Sequence, residues 1–199
     1  MHEADQHRQH FNVTLAVLAM AGVSFALLQS LVAPALPEIQ HALHTTASTV
    51  SWVLTGYLLS ASVSTPIVGR LGDMFGKNRV LVFVLVVFAL GTLAAAIASS
   101  IGVLIAARVV QGIGGGIFPL SFGIIRDEFP RNRVAGGIGL MSALLGIGGG
   151  LGVVLAGVIV DRLNYHWLFW IPLVAIVGAT VLAHFYVPEL PIKTPGKIN

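Results

Sequence analysis

The 199-residue chain has no cysteine and few charged residues. Without cysteine it cannot form disulfides, so its thiols give no indication of a redox compartment. Only 10% of its residues are charged, whereas a typical soluble domain has about 25%. Hydrophobic residues make up 56% of the chain, and the mean hydropathy is +0.90. This composition excludes an ordinary soluble domain and indicates an integral membrane protein.

Six apolar runs are each long enough to cross a bilayer as a helix, which takes about 20 mostly apolar residues. We therefore predict an all-α integral membrane protein with six transmembrane helices within residues 11–187. Residues 1–10 would form a polar cytoplasmic tail, and residues 188–199 the start of a cytoplasmic linker at which we expect the chain to be truncated. The predicted spans are residues 11–35, 48–68, 80–99, 102–125, 135–160 and 166–187.

Basic residues are distributed unequally between the two ends of these spans. Arg162 alone falls on one side, whereas nine other lysines and arginines fall on the opposite side. Because basic residues are enriched in cytoplasmic loops, we expect both termini in the cytoplasm and a multi-pass location in the cell membrane. The same bias accounts for the net charge of +3, and no nucleic-acid partner is expected.

A charged segment separates the second and third spans at residues 69–79. Asp73 is close enough in sequence to pair with Lys77 or Arg79. A tight turn between membrane helices needs residues that adopt positive φ, and glycine does so without strain. The segment is therefore predicted to turn twice at glycines spaced for that purpose, namely Gly69, Gly72 and Gly76.

The pattern of this segment, G-x-L-small-D-x-x-G-basic-x-basic, resembles the signature loop of the major facilitator superfamily of secondary transporters. In that family an acid at the inner end of the fourth helix joins the loop in a charge network that holds one conformation closed. Asp73, Lys77 and Asp127 match the three positions. The alternative is a solvated loop, whose exposed ion pairs contribute only about 0–1 kcal/mol each. The resemblance implies an inner gate formed by Gly69, Asp73, Gly76, Lys77, Arg79 and Asp127.

The first two spans carry features of one branch of this superfamily. The sequences Ala-Leu-Pro-Glu-Ile at residues 35–39 and Trp-Val-Leu-Thr-Gly-Tyr at residues 52–57 resemble segments of the fourteen-helix drug-exporting antiporters. Pro34 and Pro37 are predicted to bend or stop the first helix near the outer surface. Gln29 stands beside the position where that branch usually has an aspartate, and we expect it to be a buried amide that faces the bundle interior. A helix-to-helix hydrogen bond without ligand contact is the alternative.

The fourth span contains Arg108, about 10 Å inside its outer end. A charge at that depth costs a few kcal/mol or more, so it must face water, protein or ligand. The stretch from Arg108 to Gly116 resembles the superfamily's fourth-helix motif, whose arginine is implicated in proton coupling or substrate contact. The alternative is an arginine hydrogen-bonded to helix carbonyls. We predict a substrate or proton pathway formed by Arg108, Gln29, Gln111 and Tyr57.

Tyr57 belongs to a stripe of polar and small residues on the second span. Tyr57, Ser60, Ala61 and Ser64 share one helix face by their three- and four-residue spacing. Such a face either lines a cavity or lets neighbouring helices approach closely, and both interpretations stay open for this stripe.

The fifth span is the richest in glycine. At 100° per residue, Gly148 and Gly152 lie on one face, opposite a second group of glycines. We therefore predict close helix packing on two sides. The second group consists of Gly139, Gly146, Gly150 and Gly157. The spacing of Gly139, Gly148, Gly152 and Gly157 resembles the superfamily's antiporter motif, although Val153 and Ala156 stand where that motif has proline and glycine.

These features predict the amino-terminal bundle of a major facilitator transporter, built as two inverted three-helix repeats in a lipid bilayer. It would export small amphipathic drugs or metabolites by alternating access, together with a carboxy-terminal half or a second copy of itself. No Asp or Glu lies inside a predicted span, so a carboxylate proton carrier would have to come from the other half. The alternative is a non-transporting, truncated or homo-oligomeric membrane protein with a structural or regulatory role.

Neither enzyme activity nor a cofactor or metal is predicted. The sequence has no HExxH motif, no carboxylate pair and no serine paired with a histidine at membrane depth. Three histidines occur in the first ten residues, but their spacing is irregular and favours a solvated tail over a metal site: His2, His7 and His10.

Overall fold

A computed structural model describes the backbone of residues 2–187 and the side chains of residues 11–187. The described chain is helical, without a β-strand between residues 2 and 187. Its elements are α1 (His2–Ala42), α2 (Ala47–Phe75), α3 (Lys77–Ala96), α4 (Ile101–Gln111), a 3-10 segment (Gly112–Gly116), α5 (Ile117–Glu128), α6 (Arg131–Arg162) and α7 (Trp167–Tyr186).

These elements form six helical spans that are long and apolar enough to cross a membrane. The fourth consists of α4, the 3-10 segment and α5, which together run from Ile101 to Glu128. This confirms the predicted all-α fold with six membrane-length helices. The predicted linker at residues 188–199 lies outside the described residues.

The first helix is longer than the sequence predicts. It begins at His2, within the predicted tail, and continues through Pro34 and Pro37 to Ala42. The prediction that it stops near the prolines was wrong. Each proline removes one hydrogen-bond donor, but Ala35 and Ile39 are fully buried against the bundle. Their packing keeps the last two turns helical.

The charged segment between α2 and α3 is also more helical than predicted. Helix α2 continues to Phe75, and only Gly76 has a positive φ, 102°, among the glycines of the described chain. The prediction of turns at Gly69 and Gly72 was therefore wrong. Gly72 is a packing residue, because a Cβ added there would collide with the Leu120 side chain of α5. A single left-handed residue is sufficient to reverse the chain here.

The 3-10 segment lets the fourth span approach α2 and α3 closely. A Cβ added at Gly114 would lie 2.7 Å from the Phe88 ring of α3, and one at Gly115 would lie 2.6 Å from Thr65 Oγ1 of α2. The Ser60 hydroxyl of α2 donates a hydrogen bond to the Val109 carbonyl at 2.6 Å. Within this bundle, Ser60 thus belongs to a helix contact, which is the packing interpretation of the α2 stripe.

Helix α6 packs on α1 through one of its two glycine faces. A Cβ at Gly148 would lie 2.7 Å from Ala26 Cβ, and one at Gly152 would collide with Ser30. Ser30 Oγ also donates to the Gly148 carbonyl at 3.2 Å. The opposite glycine face, which includes Gly139 and Gly157, has no described atom within 4 Å of the added Cβ positions. Of the two predicted close contacts, the described chain contains one.

Helices α3 and α7 are joined by hydrogen bonds at both ends. At the end that carries Lys77, Asn78 Nδ2 donates to the Val187 carbonyl. At the opposite end, the Tyr165 hydroxyl, just before α7, donates to the Ala98 carbonyl at 2.7 Å. Burial raises the pKa of Tyr165 above its usual value.

Candidate functional site

Arg108 lies at the centre of a buried polar cluster. It is on α4, seven residues after the helix begins, and its side chain is 0% exposed. Its Nε donates to the Val53 carbonyl of α2 at 3.3 Å, and its Nη1 donates to Gln111 Oε1 at 2.7 Å. Its guanidinium carbon lies 4.1 Å from the centroid of the Tyr57 ring, in range of a cation–π interaction. The structure thus brings together three of the four residues predicted for the pathway.

A chain of hydrogen bonds fixes Gln111 behind the arginine. Gln111 Nε2 donates to Thr92 Oγ1 at 3.0 Å, and Thr92 Oγ1 donates to the Phe88 carbonyl at 2.7 Å. Because its NH₂ group is engaged by Thr92, Gln111 presents its oxygen to Arg108. Thr92 and Gln111 are both fully buried, so α3 takes part in orienting the arginine.

Two polar atoms of this cluster have no hydrogen-bond partner, namely Arg108 Nη2 and the Tyr57 hydroxyl. Within residues 11–187 no carboxylate forms an ion pair with Arg108. Removing a cation from water costs several kcal/mol when no counter-charge compensates it, and a desolvated cation–π contact offsets about 2 kcal/mol or somewhat more of that cost. The cluster is therefore electrostatically incomplete and suited to accept an oxygen ligand or a carboxylate.

Aromatic side chains form an apolar wall next to the cluster. The Phe25 ring of α1 lies 6.4 Å from Tyr57, 5.9 Å from Phe88 and 5.8 Å from Phe118, between ring centroids. These rings exclude water and so lower the local dielectric, which strengthens any interaction that Arg108 makes.

Gln29, the fourth residue predicted for the pathway, lies outside the cluster. It is one turn beyond Phe25 on α1, but its side chain is exposed. The prediction of a buried amide inside the bundle was wrong, because α1 packs on α6 through Ala26 and Ser30, and the neighbouring Leu28 is buried while Gln29 is not. Gln29 is on a surface of this chain that is open to a partner or to lipid.

A second polar cluster lies at the opposite end of the fourth span. Lys77 Nζ lies 3.1 Å from Asp73 Oδ1 and 2.7 Å from Asp127 Oδ2. The structure thus places the three predicted network residues in contact and connects α2, α3 and α5. Asp127 is nineteen residues after Arg108, or about 28 Å along the span, so the two clusters are separate.

The remaining residues of the predicted gate surround this inner cluster. Gly76 provides the turn that brings Lys77 back towards Asp73. Gly69 is helical, and no described atom lies within 4 Å of a Cβ added to it. Arg79 is exposed in the first turn of α3.

Sequence reasoning missed Thr92 and the aromatic wall as parts of the arginine cluster. Thr92 is the only polar side chain among residues 80–98 of α3 and the following turn. A lone hydroxyl in a long apolar helix was the available signal. Phe25 and Phe118 gave none, because apolar residues are unremarkable in a membrane helix.

Comparison with known proteins relates the chain to transporters. The family model of the Major Facilitator Superfamily matches residues 18–199. An MFS-type transporter of Aspergillus terreus is 40% identical over 147 residues, which cover 73% of this chain and 27% of that protein. The lincomycin resistance protein LmrB of Bacillus subtilis is 34% identical over 166 residues, covering 83% of this chain and 35% of that protein. The chain thus spans about a third or less of the length of these curated relatives.

The fold is also found in solved structures. The inward-open xylose transporter XylE from E. coli superposes with a TM-score of 0.78 over 92% of this chain and 48% of that one, at 16% identity. At this identity the similarity extends to the fold alone.

Proposed function

Since this chain belongs to the Major Facilitator Superfamily, we propose that it is the amino-terminal bundle of a secondary transporter that exports small amphipathic drugs or metabolites across the cell membrane. Its termini would be cytoplasmic. Transport would proceed by alternating access, in which this bundle rocks against a second one and substrate binds between them near the bilayer midplane.

The observation that carries this proposal is the incomplete Arg108 cluster. A buried guanidinium with a free Nη2, next to a tyrosine hydroxyl without a partner, leaves unused hydrogen-bonding capacity inside the membrane. Polar residues at such a depth generally serve a transport pathway. We propose that substrate or a residue of the second bundle completes the cluster in one step of the cycle.

The exposed surfaces of α2 and α6 support a partner bundle. In the apolar windows of these two helices only 22% of the residues are buried, against 56% in α1. Gln29 on α1 is exposed as well. A carboxy-terminal half of the transporter would cover these surfaces, and a second copy of this chain is the alternative occupant.

The names of relatives support a drug as the exported substrate. The matches include a lincomycin resistance protein and a tetracenomycin C resistance and export protein. We also propose proton coupling, with the carboxylate carrier on the second bundle. Arg108 does not serve as the carrier, because arginine keeps its proton at all physiological pH values.

We propose that the inner cluster is a latch. When the inner ends of the helices are together, Lys77 holds α3 to both α2 and α5 through Asp73 and Asp127. Opening of the pathway to the cytoplasm would then require these contacts to loosen.

The test is proton-driven drug efflux in membrane vesicles that contain this chain alone or co-expressed with a matching carboxy-terminal half. Efflux only with the second half is the expected result. Efflux by the chain alone would show that it forms its own pathway as a homo-oligomer and would reject the two-bundle mechanism. No efflux in either case, with both chains folded in the membrane, would favour a structural or regulatory role.

A further inference from the structure

We propose that Gly123 is a positioning residue of the inner latch, because its missing side chain leaves the groove in which the Lys77 stem crosses α5 to reach Asp127. A Cβ added at Gly123 would lie 2.6 Å from Lys77 Cε and 2.7 Å from Lys77 Cδ. Contacts this short do not occur between real atoms, so the lysine occupies the space that a side chain at residue 123 would need. The inference rests on the proposed latch function.

The groove has a second wall on α2. A Cβ added at Gly72 would lie 3.5 Å from Lys77 Cγ, so the lysine stem passes between two glycines. Gly123 is four residues before Asp127 and therefore on the same face of α5. The stem crosses the helix at Gly123 and its ammonium reaches Asp127 one turn later, at 2.7 Å.

Gly123 affects the position of Lys77 and not the stability of the fold. The atoms that an alanine would displace belong to a flexible lysine side chain, so no backbone has to move. They would have to shift by about 0.8 Å to reach ordinary contact at 3.4 Å. Alanine also has a higher helix propensity than glycine. Gly123→Ala should therefore fold normally and move the ammonium away from Asp127.

Lysine acylation measures this displacement directly. The chain has three lysines, Lys77, Lys193 and Lys197, so the two carboxy-terminal ones are references in the same molecule. Only the deprotonated amine reacts, and two nearby carboxylates favour the protonated form. The purified full chain in detergent is treated with acetic anhydride, and mass spectrometry gives the rate at Lys77 relative to the references.

We expect Gly123→Ala to raise the relative rate at Lys77 by about threefold to tenfold, as a loss of up to one pKa unit of stabilisation would do. Asp127→Asn should raise it similarly. Gly178→Ala is the matched control, because its Cβ would meet only Met20 Cε, at 3.8 Å; it should leave the rate unchanged. Adding Asp127→Glu to Gly123→Ala should restore protection, since the longer carboxylate reaches the displaced ammonium.

Two results would overturn the proposal. An unchanged Lys77 rate in Gly123→Ala, while Asp127→Asn raises it, would show that the glycine does not position the lysine. A loss of helix content or of a monodisperse elution profile in Gly123→Ala would show that residue 123 acts on the fold. Neither measurement requires transport, so a failure of the two-bundle efflux experiment would reject the transporter proposal independently of this one.

Discussion

Two cations of this chain are held in opposite ways. Lys77 lies at the end of the bundle where α2 meets α3, is 21% exposed and forms ion pairs with two carboxylates. Arg108 lies nineteen residues before Asp127, or about 28 Å along the fourth span. It is completely buried and has a tyrosine ring, an amide and a carbonyl in place of a carboxylate. The lysine is neutralised within the chain, whereas the arginine is not.

The presence or absence of a carboxylate partner distinguishes a structural cation, Lys77, from one that needs a ligand or a partner group from outside the chain, Arg108. An ion pair near water adds little free energy and serves mainly to fix a geometry. A buried cation without a counter-charge raises the free energy of the chain that contains it, so any ligand or partner group that supplies an oxygen gains affinity from that site. Substitutions at the two cations should therefore affect different properties of the protein.

The largest effect is expected from Arg108→Met in the two-bundle efflux assay. Loss of a charge-assisted hydrogen bond worth about 1.5–3 kcal/mol corresponds to a decrease in efflux of about 10- to 100-fold. The free energy of unfolding should also fall by about 1–2 kcal/mol, because Gln111 Oε1 loses its donor while it is buried. The control is Arg126→Met, which removes an exposed arginine of α5. Equal efflux by both variants would show that Arg108 is only a packing residue.

The second largest effect is expected at Thr92, which holds Gln111 in place behind Arg108. Thr92→Val should lower the free energy of unfolding by about 1–2 kcal/mol, because the Gln111 amide loses its acceptor while buried. Thr180 also donates its hydroxyl to the carbonyl one turn earlier, at 2.7 Å, but accepts no hydrogen bond from another helix in the described chain. Thr180→Val is thus the matched control, and denaturant titration in detergent micelles measures both. A decrease of the same size in both variants would contradict a role for the Gln111 contact.

A smaller effect is expected at the inner cluster. Lys77→Met should lower the free energy of unfolding by about 1 kcal/mol or less, because Asp73 is 45% exposed and water screens its pair. The same titration measures it. A loss above 3 kcal/mol would show that Asp127 behaves as a buried carboxylate and that the two cations are less different than their surroundings indicate.

The smallest effect is the response to salt, which distinguishes the clusters without a further substitution. Raising the salt concentration from 0.1 M to 1 M shortens the Debye length from about 10 Å to about 3 Å. The stability difference between wild type and Lys77→Met should shrink, while that of Thr92→Val should stay the same. If both differences shrank equally, the Arg108 cluster would be accessible to ions.

The sequence predicted the features that depend on residues close together in the chain. Runs of about 20 apolar residues specify spans, and the depth of Arg108 follows from counting helix turns. It did not predict that α1 continues past Pro37, because that depends on the burial of Ile39 against other helices. Nor did it show whether Gly72 turns the chain or packs on Leu120, since glycine suits both purposes equally.

The sequence also could not show which side of a membrane helix is exposed. Gln29 was predicted to be buried because an amide in lipid needs partners, yet the face it occupies is decided by how α1 packs on α6 and α7. Conversely, the contact between Gln111 and Thr92 joins residues nineteen positions apart. Such contacts depend on tertiary packing, for which a single sequence has no direct signal.

Helices α3 and α7 are fastened to each other near both of their ends. The Asn78 bond to Val187 and the Tyr165 bond to Ala98 both resist sliding of one helix along the other, so axial shear would have to break one of them. Axial movement of α3 relative to α7 is therefore opposed at both ends of the pair.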